Sequence, residues 1–284
     1  MHSAIIPRKL TCNYMGKYMT NSSELINWYK FKSNSWTEIQ SNIVTEKGVT
    51  LSVNGFAWLE FLCTPIDLIP MAVGFLYNED IIESNEEIAS IHVCESNEII
   101  DVWLNKSVTK PDFWRRTSGC TGGFTNINSV NSQEIKNNPI INIGACLTPA
   151  QITKQMAILI SAQKVYRETG GVHTSALSDG EKIYFITEDI GRHNTLDKIA
   201  GFCLINKISI RQRIILTTGR ISSEMMQKSA KIGAIAIISR TSPSSLSVKL
   251  AEQWGITLIG YARKNTFNIY THPERILIPM LENK

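Results

Sequence analysis

The stretch IILTTGRISSEMMQKSAKIGAIAIIS, residues 214–239, decides the fold class. Its first and last segments, residues 214–218 and 234–239, are largely apolar at successive positions, which is typical of strands that are buried on both faces. Residues 223–232 between them predict a helix that ends at Gly233. A strand, a helix and a strand in this order indicate two parallel strands joined by a helical crossover. We therefore predict an α/β fold.

The same alternation of predicted helices and strands continues towards the C-terminus. Residues 243–254 predict a further helix, closed by Gly255, and residues 256–261 predict a third strand of the same apolar kind. Three such strands separated by helices indicate a largely parallel sheet that is covered on both sides.

Residues before this stretch predict elements that add to the same domain. A capping box that begins at Thr148 predicts one helix that ends at Gly170-Gly171. Strands at 172–177 and 183–187 follow it and form a predicted hairpin. Asn194 is expected to cap the next helix.

The N-terminal half predicts smaller elements. Alternating apolar residues at 49–53 precede Asn54-Gly55, a dipeptide that favours a two-residue hairpin turn. Ala57, Leu59 and Phe61 are the expected apolar side of the returning strand. A short helix after Pro65 and a second hairpin around residues 95–98 complete this half.

These elements divide the chain into three regions. Residues 1–42 are expected to be an irregular N-terminal segment, and residues 43–138 a small α+β part that is rich in strands. Residues 139–284 are expected to form the α/β domain. Within the middle region, residues 110–138 are rich in Gly, Ser, Thr and Asn and predict a long loop and linker.

The composition excludes several functional classes. A formal net charge of +4 without a long Lys/Arg run gives no nucleic-acid tail and suits a small polyanion such as a nucleotide. No apolar stretch is long enough to span a membrane. Residues 1–18 lack the apolar middle region of a signal peptide, so we expect a cytoplasmic protein. None of the six cysteines forms a C-x-x-C pair, which disfavours a zinc site.

Polar residues and cations follow three of the predicted strands. They are Thr218-Gly219-Arg220, Arg240-Thr241-Ser242 and Arg263-Lys264-Asn265. Ligands of parallel sheets gather at the carboxyl ends of the strands, and cations beside small polar residues suit phosphate groups. The sequence therefore predicts an anion-binding site at this edge of the sheet.

Cys120 is the cysteine whose surroundings best suit chemistry. It lies among three glycines and follows Arg115 and Arg116. Neighbouring cations lower the pKa of a thiol, and the thiolate is the nucleophile. An inert loop cysteine is the alternative that local sequence leaves open. The other cysteines lie among apolar neighbours and are expected to pack in the core.

Two further groups could carry chemistry. The cluster EDIGRHN, residues 188–194, lies between a predicted strand and a predicted helix, where rigid elements hold functional groups. His193 could be an acid–base group, a binding group or an ordinary surface histidine. His173 raises the hypothesis of a zinc deaminase, but position 175 is serine instead of glutamate, and no downstream cysteine pair exists. We therefore expect no zinc.

These motifs together resemble the formate dehydrogenase accessory sulfurtransferase family, often called FdhD. The resemblance extends from about residue 42 to the C-terminus. The matching stretches are VTLSVNG (49–55), LCTP (62–65), GFL (74–76), GVHTSA (171–176), EDIGRHN (188–194), TGRISSEM (218–225) and YTHPERI (270–276).

The resemblance implies a fold, a task and partners. The implied fold is a cytidine deaminase-like three-layer α/β/α sheet without zinc, with a smaller N-terminal part. The implied task is to accept sulfur from a cysteine desulfurase and to deliver it to molybdenum bis-molybdopterin guanine dinucleotide for a formate dehydrogenase. The implied assembly is a homodimer.

The resemblance also implies site residues. The persulfide-bearing cysteine falls on Cys120. The cofactor-contacting segment falls on Tyr261, Ala262, Arg263, Lys264, Asn265 and Thr266. Gly219 and Arg220 of the strand-end loops and Asp189, Arg192 and His193 of the cluster 188–194 are further candidates for cofactor binding. GDP is expected to mimic the nucleotide ends of the cofactor.

The chain departs from the family pattern at one position. Many relatives carry a C-x-x-C pair in the cysteine loop, and Gly123 stands at the position of the second cysteine. Persulfide chemistry on Cys120 remains possible, but a relay between two loop cysteines is not. A cofactor-binding chaperone that no longer moves sulfur is therefore the main alternative, and a nucleobase hydrolase is a more distant one.

Overall fold

The computed structural model describes residues 22–111, 114–116, 124–126, 147–210 and 212–277. The strands are β1 (Ser23–Lys32), β2 (Ser35–Val44), β3 (Lys47–Val53), β4 (Phe56–Cys63), β5 (Ile88–Val93), β6 (Ile99–Leu104), β7 (Trp114–Arg116), β8 (Phe124–Asn126), β9 (His173–Ser178), β10 (Ile183–Asp189), β11 (Arg213–Thr217), β12 (Ala234–Ser239), β13 (Thr257–Arg263) and β14 (Thr266–Ile269). The helices are α1 (Leu68–Asn78), α2 (Pro149–Ala162), α3 (Val165–Thr169), α4 (Arg192–Ile205), α5 (Ser223–Lys231) and α6 (Ser245–Gln253).

The C-terminal half is built on a six-stranded sheet in the order β10-β9-β11-β12-β13-β14. The predicted parallel strands β11, β12 and β13 are adjacent and parallel. Strands β9, β10 and β14 are antiparallel to their neighbours, so the sheet is mixed. The α/β class expected from the sequence is confirmed.

Helices cover both faces of this sheet because its strands alternate apolar side chains between the two faces. On β11, Ile215 packs into one core with α4 and α5, whereas Ile214 and Leu216 pack into another core with α2. On β12, Ile237 and Ile238 divide in the same way. The result is three layers, α/β/α, as the resemblance implies.

The smaller N-terminal sheet has the order β4-β3-β6-β5 and packs on α1. Both predicted hairpins form, but the apolar side of β4 differs from the prediction. The buried residues are Trp58, Phe61 and Cys63, whereas Ala57 is exposed and Leu59 only half-buried. An irregularity in the pairing between Leu51 and Ser52 shifts the register, which changes the face that each side chain occupies.

Two predictions about helices were wrong. The helix predicted from Thr148 to Gly170 is divided into α2 and α3, because the carboxylate of Glu188 accepts hydrogen bonds from the backbone N–H groups of residues 164–166 and starts a second helix there. The N-cap of α4 is Gly191 rather than Asn194. Asn194 lies inside the helix and donates from its side chain to Leu62 and Asp189.

Two regions expected to be irregular contain strands. Residues 23–44, mostly within the segment expected to be irregular, form the antiparallel hairpin β1–β2, because both segments alternate polar residues with branched and aromatic ones. Short strands β7 and β8 pair within the predicted linker. In the part of the chain that the structure describes, no helix is long and apolar enough to cross a membrane.

Helices α1 and α4 cross with their backbones in contact and thereby join the two sheets. A β-carbon added at Gly74 would overlap the carbonyl oxygen of Asp197, and one added at Gly201 would overlap that of Pro70. Both obstacles are backbone atoms, which cannot move aside as the end of a side chain can. This crossing therefore requires glycine at both positions.

We predict that Gly201→Ala lowers the free energy of unfolding by at least about 2 kcal/mol, since overpacking against backbone costs about 1–3 kcal/mol or more. Helix propensity alone would favour alanine by about 1 kcal/mol. Whether Gly201→Ala lowers or raises the free energy of unfolding therefore tests the close contact between the helices. Urea unfolding measures it. The exposed α2 variant Ser161→Ala is the control and should stay within about 0.5 kcal/mol of wild type. A stabilised Gly201→Ala would show that the helices do not meet here.

Candidate functional site

The predicted strand-end loops meet at one edge of the large sheet. Strands β11, β12 and β13 all end there because they are parallel. The loops are joined by hydrogen bonds: Ser239 Oγ donates to the carbonyl of Gly219 over 2.7 Å, and the N–H of Tyr261 donates to the carbonyl of Thr241 over 3.0 Å. The sequence-based prediction that these loops lie together is confirmed.

The cluster 188–194 reaches the same edge because β10 and β9 are antiparallel. Asp189 at the end of β10 lies opposite His173 at the start of β9. Next to His173, Thr174 exchanges hydrogen bonds with Thr218 after β11. The ends of five strands therefore contribute to one site.

Positive charge converges around Gly219. A β-carbon there would lie 3.1 Å from Cβ of Arg192 and 3.6 Å from Nδ1 of His173. Burial lowers the pKa of His173, and the cations Arg192 and Arg220 lower it further. Two arginines therefore lie close to this imidazole.

The acidic residues of the cluster direct their carboxylates elsewhere. Glu188 binds the backbone N–H groups at the start of α3. Asp189 is fully buried, accepts from the N–H of Gly191 over 2.7 Å and pairs with Lys198 over 2.7 Å. Both carboxylates therefore have partners within the protein.

His193 is a neutral, buried group at this site. Burial lowers its pKa well below the ordinary value, and Lys228 and Arg192 lower it further. Its Nε2 lies 3.3 Å from Oγ of Ser222, which accepts the N–H of Met225 at the start of α5. His193 therefore supports the loop that carries Gly219 and Arg220 as well as lining the edge.

The segment 261–266 comprises the last three residues of β13, the turn at residues 264–265 and the first residue of β14. Its residues are exposed except Ala262, which is buried in the core. The guanidinium of Arg263 lies 5.9 Å from the centre of the Tyr261 ring, and its Nε donates to the carbonyl of Arg240 over 3.0 Å. Arg263 is therefore held against the loop that follows β12, and its planar guanidinium has the donor geometry that suits phosphate.

A family model described as the FdhD/NarQ family matches residues 44–277, which is most of the chain. The chain belongs to the FdhD/NarQ family. The resemblance found from the motifs is thereby confirmed.

Relatives of this family align along nearly the whole chain. The sulfur carrier protein FdhD of Bacillus licheniformis is 34% identical over 265 residues, covering 92% of this chain and 99% of the relative. The sulfur carrier protein FdhD of Staphylococcus aureus is 39% identical over 241 residues, covering 82% of this chain and 89% of the relative. A crystal structure from Desulfotalea psychrophila, of a protein described as a putative formate dehydrogenase accessory protein, matches with a TM-score of 0.73 and 28% identity over 90% of this chain and 99% of that one.

The described cysteines of this family member divide into two kinds. Burial raises the pKa of Cys63 to about 12 and that of Cys203 to about 11, so both are packed thiols, as expected. Cys94 is only half-buried; although burial raises its pKa, hydrogen bonds from Ser96, Glu98 and Ile99 lower the pKa on balance. Cys120 and Gly123 lie outside the described residues, between β7 and β8 in the sequence.

Sequence reasoning missed two residues of the site. His173 was considered only as a zinc ligand, whereas the structure places it beside Gly219 and Arg192. Lys198 belongs to none of the motifs found in the sequence, yet it is fully buried and donates to Asp189 and to the carbonyls of Thr64 and Glu188. The sequence holds no signal for this role, because a lysine in a helix is usually exposed. Within the described ranges, no group of three His, Cys, Asp or Glu side chains is placed to hold a metal ion.

We predict that Lys198→Met costs about 3–5 kcal/mol of stability, because it leaves the buried Asp189 carboxylate without its counter-ion. The control is Lys207→Met, which removes an ion pair of the same 2.7 Å length to Glu86 on the exposed surface and should cost far less stability, because solvent screens an exposed pair. Urea unfolding of both variants measures the difference.

The stability that the Lys198→Met variant loses relative to wild type should depend on pH. Burial already raises the pKa of Asp189, and Lys198 opposes that rise. In the variant, the pKa of Asp189 is therefore higher still. Between the ordinary carboxyl pKa and this raised value, the native state keeps a proton that the unfolded state releases, so stability falls as pH increases. The variant should therefore recover part of its loss at pH 5 relative to pH 8. Equal losses in the two lysine variants, or no recovery at low pH, would contradict the buried pair.

Proposed function

We propose that this chain carries sulfur as a persulfide on Cys120, taking it from a cysteine desulfurase and delivering it to the molybdenum bis-molybdopterin guanine dinucleotide cofactor of a formate dehydrogenase. Membership of the FdhD/NarQ family and relatives named sulfur carrier proteins support the sulfur-carrying role. The observation that carries the cofactor part is the positive strand-end edge around Gly219.

The first step is sulfur acceptance. The Cys120 thiolate attacks the outer sulfur of the donor persulfide, a new S–S bond forms on Cys120, and the donor cysteine leaves as its thiolate. Transfer of the outer sulfur to the cofactor would break the S–S bond and release the Cys120 thiolate for another cycle, and the two electrons that convert this sulfur to a sulfide ligand would come from the metal of the cofactor. The chain thus acts as a persulfide carrier, a form of sulfurtransferase.

The second step requires a binding site for the cofactor, which is a substrate here. Its nucleotide ends carry diphosphates, and charged guanidinium groups bind phosphate through paired N–H donors. Arg220 and Arg263 are exposed at the edge and can touch phosphate directly, whereas Arg192 is buried and contributes its charge from beneath. Gly219 keeps the surface above Arg192 free of a side chain.

Asp189 and His193 have supporting parts in this proposal. The Asp189 carboxylate is fully enclosed by Gly191, Asn194 and Lys198, so it fixes the loop that positions Arg192 instead of touching the cofactor. The neutral His193 can exchange a hydrogen bond with Ser222 or with a ligand without adding charge. The exposed residues Lys264, Asn265 and Thr266 are the remaining polar groups of the turn.

We predict that Cys120→Ser abolishes persulfide formation and formate dehydrogenase maturation. Intact-protein mass after incubation with a cysteine desulfurase and cysteine should show the addition of sulfur in wild type and none in the variant. Cys94→Ser is the matched control, because Cys94 is the described cysteine whose pKa is lowered, and it should load as wild type does. Loading that persists in Cys120→Ser but disappears in Cys94→Ser would transfer the role to Cys94.

We predict that Arg263→Ala weakens GDP binding by about 1.5–3 kcal/mol, because a charged hydrogen bond to phosphate is lost. Isothermal titration calorimetry measures the affinity. Lys182→Ala removes the same charge from the turn at the other end of β9 and β10 and should leave the affinity unchanged. Unchanged GDP affinity in Arg263→Ala would remove this residue from the site, and GDP binding without any sulfur loading on wild type would favour the cofactor chaperone.

A further inference from the structure

The hairpin formed by β1 and β2, residues 23–44, is the most exposed apolar element of the described chain. We call it the arm. Leu25, Tyr29 and Trp36 are 61%, 65% and 70% exposed. Four more large apolar side chains of the arm are also exposed: Ile26, Trp28, Phe31 and Ile43.

The apolar residues of the arm lie on both of its faces. Leu25, Tyr29, Phe31 and Trp36 share one face, and Ile26, Trp28 and Ile43 share the other, as the cross-strand pairing shows. The base of the arm is anchored through Ser23 Oγ to Glu168 of α3 and through Val44 against Gly171. A two-stranded hairpin of this kind is marginally stable in water. Contact with another protein surface would stabilise the arm.

The outer edge of β1 is open to pairing. Within the described residues, β1 pairs with β2 alone, so its outward N–H and C=O groups have no strand beside them. Long, apolar edges of this kind are templates for a strand from another chain. The sequence of β1 shows which strand fits.

The β1 strand is complementary to itself in the antiparallel direction. If two copies pair about a twofold axis at Asn27, Glu24 of one copy lies opposite Lys30 of the other, and this pair occurs twice. Leu25 then faces Tyr29, and Ile26 faces Trp28. Opposite charges and apolar pairs at directly opposed positions are the contacts that stabilise antiparallel strands.

The outer edge of β2 does not have this property. Its sequence, SWTEIQSNIV, contains Glu38 as its only charged residue, so no antiparallel pairing of β2 with itself joins opposite charges. Charge therefore selects β1 over β2 as the edge that joins two copies.

We propose that the arms of two copies of this chain join through their β1 edges, about a twofold axis at Asn27, into a four-stranded antiparallel sheet. The resemblance to the family implies a homodimer, whereas the arm, the edge and the register come from the exposed hairpin and its charges. The interface does not depend on the sulfur chemistry, so the two proposals can fail separately.

Charge reversal on the full-length protein tests the pairing. Lys30→Glu alone and Glu24→Lys alone each turn two attractive pairs into repulsive ones and should raise the dimer dissociation constant by roughly tenfold. The double variant restores opposite charges and should dimerise as wild type does. The two single variants mixed together should form a heterodimer, because one chain then carries lysine at both positions and its partner carries glutamate at both. Sedimentation velocity over a concentration series measures each case.

The control is Glu38→Lys, which reverses a charge on the same arm but on β2. It should leave the dissociation constant unchanged. The proposal would be overturned by a monomeric wild type. It would also be overturned if Glu38→Lys raised the dimer dissociation constant as much as Lys30→Glu does. A dimer that tolerates Lys30→Glu would overturn it as well.

A cysteine cross-link tests the register. Asn27 faces its own copy on the axis, where the two β-carbons come close enough for a disulfide. Asn27→Cys should therefore give a covalent dimer on mild oxidation, beyond any that wild type forms. Gln40→Cys changes the residue that lies opposite Asn27 within the arm, and it should give none. Cross-linking of Gln40→Cys but not of Asn27→Cys would place the interface on β2 and overturn the proposal.

Discussion

The buried ammonium of Lys198 connects the parts of the molecule that the site depends on. It pairs with Asp189 at the end of β10 and donates to the carbonyls of Glu188 and Thr64. Thr64 follows β4 of the smaller sheet, so one charge joins both sheets and helix α4. A lysine and a carboxylate with no solvent exposure are costly to bury unless each is fully satisfied, and this network satisfies them. The geometry of the loop 189–194 follows from that requirement.

The crossing of α1 and α4 makes this network possible. Contact between backbones at Gly74 and Gly201 brings the end of β4 close to the start of α4. A second buried pair joins Asp197 of α4 to Lys228 of α5 over 2.6 Å. Helix α4 is therefore buried almost all round, and its polar residues face partners within the protein instead of water.

The electrostatics of the site follow from where its carboxylates point. Glu188 stabilises the N-terminus of α3 and Asp189 pairs with Lys198, so both carboxylates have partners within the protein. The imidazoles of His173 and His193 have lowered pKa values because they are buried beside these cations. The exposed guanidinium groups of Arg220 and Arg263 lie at the same edge, where a ligand can reach them.

The sequence by itself determined most elements of the α/β domain, the α/β class and the meeting of the three strand-end loops, because these follow from short-range periodicity and from the common direction of parallel strands. The family followed from the resemblance of its motifs. Only the tertiary structure decided that β9 lies beside β11 and brings His173 to Gly219, that Asp189 is enclosed while Arg220 is exposed, and that β1 and β2 form an exposed arm. Such facts depend on contacts between residues far apart in the chain. Residues such as Lys198 and Glu188 look like surface residues in the sequence, and only the packing around them shows that they are buried.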